Sequence, residues 1–176
     1  MPRLIVLNGP PGCGKSTIAQ LFADDHPLAL NLDIDRLRSM LGGWQSDLTS
    51  AGLLARACAL AAARVHLAAG HDVVVPQFLG RVEFLEQVER LGREVGAAFV
   101  EIVLLDTKAN SLARYAERTR ATARPEHVEA DSNELAVMYD RLVEVMRRRT
   151  HAKIVPTRQG DTAETYRRVL DVIDST

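Results

Sequence analysis

The sequence predicts an α/β fold, a five-stranded parallel sheet with helices on both faces. Two observations carry that expectation. Short, apolar, β-branched runs alternate with longer helical segments along the whole chain, the pattern that builds parallel sheets covered on both sides. The first run, Leu4-Ile5-Val6-Leu7, also ends directly in a glycine- and proline-rich turn, Asn8-Gly9-Pro10-Pro11-Gly12. Buried parallel strands give way to loops in this manner.

Taken in order, a helix follows from about Lys15 to Asp24, with Ile18, Leu21 and Phe22 on one face, and His26-Pro27 breaks it. Leu28 to Leu32 reads as the second strand. Asp33-Ile34-Asp35 opens a short helix that runs through Met40 and stops at Gly42-Gly43. An Ala/Leu-rich helix then reaches Ala69, with Gly70 as its C′ residue. Arg56, Arg64 and His66 interrupt its apolar character, so it reads as a buried or half-buried helix rather than a membrane span. Asp72 to Val75 is the third strand, closed by Pro76, and Glu83 to Val95 is helical, ending at Gly96.

Ala98 to Leu105 is the most strand-like run. Helix returns from Ala109 to about Arg120, followed by an irregular stretch near Ala123-Arg124-Pro125-Glu126. Asp131, with Glu134 three residues on, opens a helix that reaches Arg149. Lys153-Ile154-Val155 is the last strand and Thr162 to Ile173 the last helix. Neither a repeat nor a low-complexity segment intervenes, and the expectation is one domain over residues 1–176.

Bulk properties narrow the function. Hydrophobic residues make up 47% and charged residues 26% of the 176, an ordinary globular composition. The net charge of −1 lacks the basic excess of a nucleic-acid binder. The two cysteines, Cys13 and Cys58, read as reduced thiols in a cytosol, and the apolar run after Met1 is too short for a signal peptide. The five histidines have no metal-ligand spacing, and no Gly-x-Ser-x-Gly elbow is present.

The chemistry concentrates in Gly9-Pro10-Pro11-Gly12-Cys13-Gly14-Lys15-Ser16, which fits the phosphate-loop pattern G-x-x-x-x-G-K-[ST] at every defined position. Phosphate oxygens must meet several backbone N–H groups at once, so the loop has to be tight and free of obstructing side chains. Gly12 and Gly14 allow that approach, with Cys13 between them inside the loop. The helix beginning near Lys15 turns its unbonded N–H groups and positive dipole end toward the same anion. Lys15 supplies a point charge for the β- and γ-phosphates, Ser16 a hydroxyl for Mg²⁺, and Thr17 a contact to the α-phosphate. The implied cofactors are ATP and Mg²⁺, and the fold is a three-layer P-loop NTPase.

With this loop at residue 9 and a second strand leading into Asp33-Ile34-Asp35-Arg36-Leu37-Arg38, the chain resembles the small P-loop kinases. That group includes nucleoside monophosphate kinases, shikimate kinase and gluconate kinase. It also includes the antibiotic phosphotransferases, and chloramphenicol phosphotransferase and tunicamycin-resistance proteins look nearest. The resemblance implies that Asp35 activates the acceptor hydroxyl, a role a carboxylate near the γ-phosphate can fill. Asp33 either orients substrate or the Mg²⁺ water shell, or simply caps the helix at Asp35.

Many P-loop enzymes end the third strand on a carboxylate that supports Mg²⁺, whereas here Val75 runs into Pro76-Gln77. Gln77, at the end of a central strand, becomes a candidate for bonding substrate. The resemblance further implies a small helical lid over about residues 118–132, whose arginines close on the transferring phosphate. Arg118 and Arg120 are favoured, with Arg124 behind them. It also implies that the segment after the last strand, Pro156 to Asp161, lies against adenine, where Arg158 could stack. Arg38 could bind an acceptor phosphate, and Trp44 could stack on an acceptor ring.

The expected function is transfer of the γ-phosphoryl group to a hydroxyl of a small molecule, an antibiotic or nucleoside-like natural product among the candidates, with neither nucleic acid nor membrane as partner. A nucleoside or nucleoside monophosphate kinase and a non-kinase ATP-binding regulator are the alternatives.

Overall fold

The computed structural model describes residues 1–121 and 131–176, with side chains for residues 1–117 and 131–176. Its elements are β1 (Arg3–Asn8), α1 (Lys15–Asp25), β2 (Leu30–Asn31), α2 (Ile34–Ser39), α3 (Leu48–Ala68) and β3 (Val73–Pro76). They continue with α4 (Val82–Glu94), β4 (Ala98–Leu105), α5 (Lys108–Ala121), α6 (Ser132–Arg148), β5 (Lys153–Pro156) and α7 (Thr162–Asp174). The strands form one five-stranded sheet in the order β2-β3-β1-β4-β5, and every neighbouring pair is parallel. From β1 the chain builds one side of the sheet and then the other, so the strand order reverses about β1. Open α/β sheets bind ligands beyond the carboxyl ends of the strands at such a point.

Strand periodicity sorts the core into two clusters. Leu4, Val6, Val73 and Val75 face α3 and α4, while Ile5, Leu7, Val74, Ile102 and Leu104 face α1 and α7. Period-2 alternation explains why β1 is apolar at every position from Leu4 to Leu7: both of its faces are covered. Helix α3 is 21 residues long and, by length and composition, apolar enough to cross a membrane. Its Ala51, Ala55, Ala59, Ala63 and Leu67 stripe is instead buried in this domain, four of those residues within the core cluster.

One expectation needs correction. The second strand spans only Leu30–Asn31, because Leu28 adopts φ 62°, a left-handed conformation that no strand continues through. Arg149 closes the run Arg147-Arg148-Arg149 at the end of α6. It is buried, and its guanidinium lies 2.7 Å from Glu101 and 2.8 Å from Glu89. Glu101 is a carboxylate set within the interior strand β4, so its charge requires that partner.

At the top of the sheet, Asn8 is completely buried. Its side-chain oxygen accepts the N–H of Gly9 at 2.8 Å and of Leu79 at 2.9 Å, and its amide donates to the carbonyl of Leu79 at 3.1 Å. The segment leaving β3 is thereby pinned to the end of β1. Asn8→Ala strands buried donors and an acceptor, so urea unfolding should register a loss of about 2–4 kcal/mol. A loss within experimental error would refute the clamp.

Candidate active site

The loop after β1 has the backbone its residue types allow. Gly12 adopts φ 84° and Gly14 φ 99°. A Cβ on Gly12 would lie 3.2 Å from the backbone N of Tyr115, so the loop backs directly onto α5. Gly14 is the N-cap of α1 and offers no side-chain cap, which leaves the first-turn N–H groups for an anion. Cys13 is buried, with its side chain in the α1 core cluster, so only its backbone can serve a ligand. The Lys15 ammonium donates to the carbonyls of Gly9 at 2.8 Å and Pro10 at 2.9 Å, folded over the loop and within reach of phosphate. These features fit a nucleotide triphosphate.

A cavity of about 800 Å³ opens in front of the loop. Gly12, Gly14, Lys15, Ser16 and Thr17 line one side, and Asp33, Asp35, Arg38 and Gln77 another. Asp33 caps α2: one of its oxygens accepts the N–H groups of Asp35 at 3.0 Å and Arg36 at 3.3 Å. Capping and cavity lining thus coexist in one side chain. Asp35 is held by Arg38 at 3.0 Å, and Arg38 in turn lies over the ring of Trp44 at 5.1 Å.

Trp44 is not among the residues that line this cavity, and its ring lies beneath the Arg38 guanidinium. The Gln77 side-chain oxygen is shielded from solvent and accepts no hydrogen bond. Among the described residues no three His, Cys, Asp or Glu side chains gather into a metal cluster. Protein ligation of Mg²⁺ would fall to Ser16, with Asp33 and Asp35 within the same cavity.

Sequence reasoning missed the far wall. Helix α6 contributes Asn133, Val137 and Arg141, one stripe at intervals of four, together with Glu134 and Met138. Arg56 of α3, Pro11, Pro76, Phe78 and Tyr115 complete the lining. The sequence carried no signal for the stripe, because Val137 sits within the apolar run Leu135-Ala136-Val137-Met138 and only the fold leaves it exposed.

A second cavity of about 820 Å³ lies on the other side of α5, lined by Asp106, Thr107, Arg114, Thr157, Arg158 and Gln159 among others. Arg114 is fixed there by Asp106 at 2.7 Å, both nearly buried, and by Thr157 at 3.3 Å. It is therefore held against the loop after β5. Arg158 is exposed on the rim. The side chains of Arg118 and Arg120, and Arg124 with most of the expected lid, lie outside the described residues.

Sheet order, loop and cavity together define a P-loop α/β protein with the kinase-like arrangement. Over residues 4–145 the sequence matches the family model described as an AAA domain, and the chain belongs to that family. A gluconokinase from Sinorhizobium meliloti 1021 superposes with a TM-score of 0.68 at 22% identity, covering 99% of this chain and 93% of that one. The APS kinase CysC of Mycobacterium tuberculosis, as a Cys556Ala mutant, gives 0.57 at 18%, covering 98% and 97%.

A chain of the Pnkp1/Rnl/Hen1 RNA repair complex gives 0.69 at 18%, with 84% of this chain covering 46% of that one. No curated protein matches in sequence. At these identities the likeness is one of fold. It supports the small P-loop kinase layout and does not single out the antibiotic phosphotransferases.

Burial is the largest influence on Asp33 and raises its carboxyl above the ordinary 3.8, with the Arg36 N–H opposing it. A raised folded value means the native state takes up the proton first as pH falls. The wild type therefore gains stability between that raised value and the unfolded one. Asn caps a helix as well as Asp. Asp33→Asn should thus be at least as stable as wild type at about pH 8, with the gap closing toward about pH 4. Thermal unfolding at both values checks this, and a less stable variant at the higher pH would refute it.

Proposed function

We propose that the protein is an ATP-dependent phosphotransferase acting on a hydroxyl of a small molecule. The observation that carries the reading is the phosphate loop and the Asp33–Asp35 segment facing one cavity large enough for an acceptor. Bound Mg²⁺-ATP would supply the transferable phosphoryl group and neutralise part of its charge. The backbone N–H groups of Gly12, Cys13 and Gly14, with the start of α1, hold the phosphates. With nucleotide bound, Lys15 would leave the Gly9 and Pro10 carbonyls for the β- and γ-phosphates, Ser16 would hold the cation, and Thr17 would contact the α-phosphate.

Asp35 takes the acceptor proton as that oxygen bonds to the γ-phosphorus and the bridging P–O bond to ADP breaks. The Arg38 pair fixes the direction of its carboxylate, as positioning of a base requires. Gln77 lines the cavity, and a turn of its side-chain amide would bring it to a second hydroxyl of the substrate. The cavity between α5 and the segment after β5 suits the adenine, with Arg114 and Arg158 at its wall. Arg118, Arg120 and Arg124 are assigned to the lid that would stabilise charge on the transferring group.

The acceptor could be an antibiotic or another natural product. A nucleoside monophosphate kinase is the second reading, favoured by the arginines of the cavity wall. The test is ADP release with Mg²⁺-ATP against hydroxylated acceptors: chloramphenicol, aminoglycosides, nucleosides and their monophosphates, and sugar acids. Strong stimulation by one acceptor, with a phosphorylated product by mass, is expected. Asp35→Asn should lower that stimulated turnover by about 10²–10⁴-fold. One slow rate whatever is added would point instead to a nucleotide-binding regulator, and near-normal turnover in the variant would remove Asp35 as the base.

A further inference from the structure

The acceptor cavity is electrostatically unbalanced, and the imbalance has a location. Its carboxylates are already engaged. Asp33 accepts backbone N–H groups at the cap of α2. Asp35 pairs with Arg38. Glu134 bonds back to the N–H of Asp131 at 2.9 Å in a capping box. Of the wall's cations, Lys15 belongs to the phosphate loop and Arg38 to Asp35.

Arg56 and Arg141 remain, from α3 and α6, two helices that contribute to the same cavity. Among the described residues, neither has a carboxylate within 4.0 Å. Arg56 is not simply waving in solvent. Its guanidinium lies over the buried Phe84 ring at 5.6 Å, which fixes it in a direction without neutralising it. Arg141 occupies the last position of the inward α6 stripe, where a Cβ placed on Gly80 would lie 3.5 Å from its own Cβ.

We propose that Arg56 and Arg141 bind an anionic group, a carboxylate or a phosphate, on the acceptor, so that the substrate is a hydroxylated acid rather than a neutral alcohol. The inference rests on the phosphotransfer reading and adds the substrate's charge class to it. Planar guanidiniums suit both oxyanions through paired N–H bonds. An anion held at this wall leaves a hydroxyl elsewhere on the same molecule to meet Asp35.

Two measurements test it. Acceptors are compared as matched pairs: D-gluconate with D-sorbitol, 3-phosphoglycerate with glycerol, uridine 5′-monophosphate with uridine. Separately, inorganic phosphate is titrated calorimetrically into protein saturated with Mg²⁺ and the β,γ-imido analogue of ATP, which fills the phosphate loop. The anionic member of a pair should be the one phosphorylated, and the pair that responds tells carboxylate from phosphate.

The double variant Arg56→Gln, Arg141→Gln should raise KM for that acceptor and weaken phosphate binding, each by on the order of 10²-fold. A neutral member used as well as its acid, or phosphate affinity equal in wild type and variant, overturns the proposal. Failure to bind the ATP analogue would sink the phosphotransfer reading instead, and is read from the same calorimetry before phosphate is added. Both arginines are exposed, and an unchanged melting temperature for the double variant separates lost binding from lost folding.

Discussion

The geometry of the site depends on one buried amide. Packing holds β1 between β3 and β4, but hydrophobic burial is non-directional and cannot by itself set where one strand's exit loop stands relative to another's. Asn8 supplies the direction. It sits where β1 becomes the phosphate loop, and its side chain bonds both the N–H and the carbonyl of Leu79. A bond to the Gly9 N–H fixes the loop's first residue by the same oxygen. Gln77 and Phe78 lie between the end of β3 and this anchor, so their place opposite the loop follows from it. An aliphatic residue at position 8 would fill the volume and lose the registration.

The glycines extend the same logic sideways. Gly9 cannot carry a side chain because its Cβ would stand 2.4 Å from the Leu104 carbonyl, on the neighbouring strand β4. Gly12 brings the loop against the backbone of α5 at Tyr115. Tyr115 and its neighbour Arg114 then face different cavities, one before the loop and one beside the segment after β5. A single helix thus contributes to the walls of both cavities. Because the loop touches that helix through backbone atoms, a movement of α5 would be felt at the phosphates without any side chain intervening.

Legibility in the sequence followed local physics. Strands buried on both faces announce themselves as unbroken apolar runs, and the phosphate loop is written in residue types that few other structures need, so the fold, the loop and the Asp33–Asp35 segment could be read directly. What stayed hidden depends on pairs distant in sequence. Glu101 sits in the middle of an apolar strand and Arg149 ends a run of arginines; only folding brings them to 2.7 Å. Arg114 reads as one more arginine in a basic stretch until Asp106 and Thr157 enclose it. Trp44 suggests ligand stacking in isolation, and only the fold sets it beside Arg38. The shortened β2 turned on a single φ angle at Leu28, which no apolar pattern encodes.

The absence of a carboxylate at the end of β3 changes how charge must be managed near the phosphates. Pro76 occupies the last ladder position of β3 beside Leu7, and the residue after it, Gln77, is neutral. A second fixed anion there would have deepened the cost already visible at Asp33, whose carboxyl is pushed up by burial and by the Asp35 charge. Three carboxylates converging on one cavity would tend to hold a proton between them, and a base that must be ionised to act would be weakened. A neutral amide at this strand end leaves the wall short of negative charge. Among the described residues, the same shortage leaves the guanidiniums of Arg56 and Arg141 without a carboxylate partner. The missing acid and the surplus cations are then two aspects of one arrangement, in which negative charge is left for the ligands to bring.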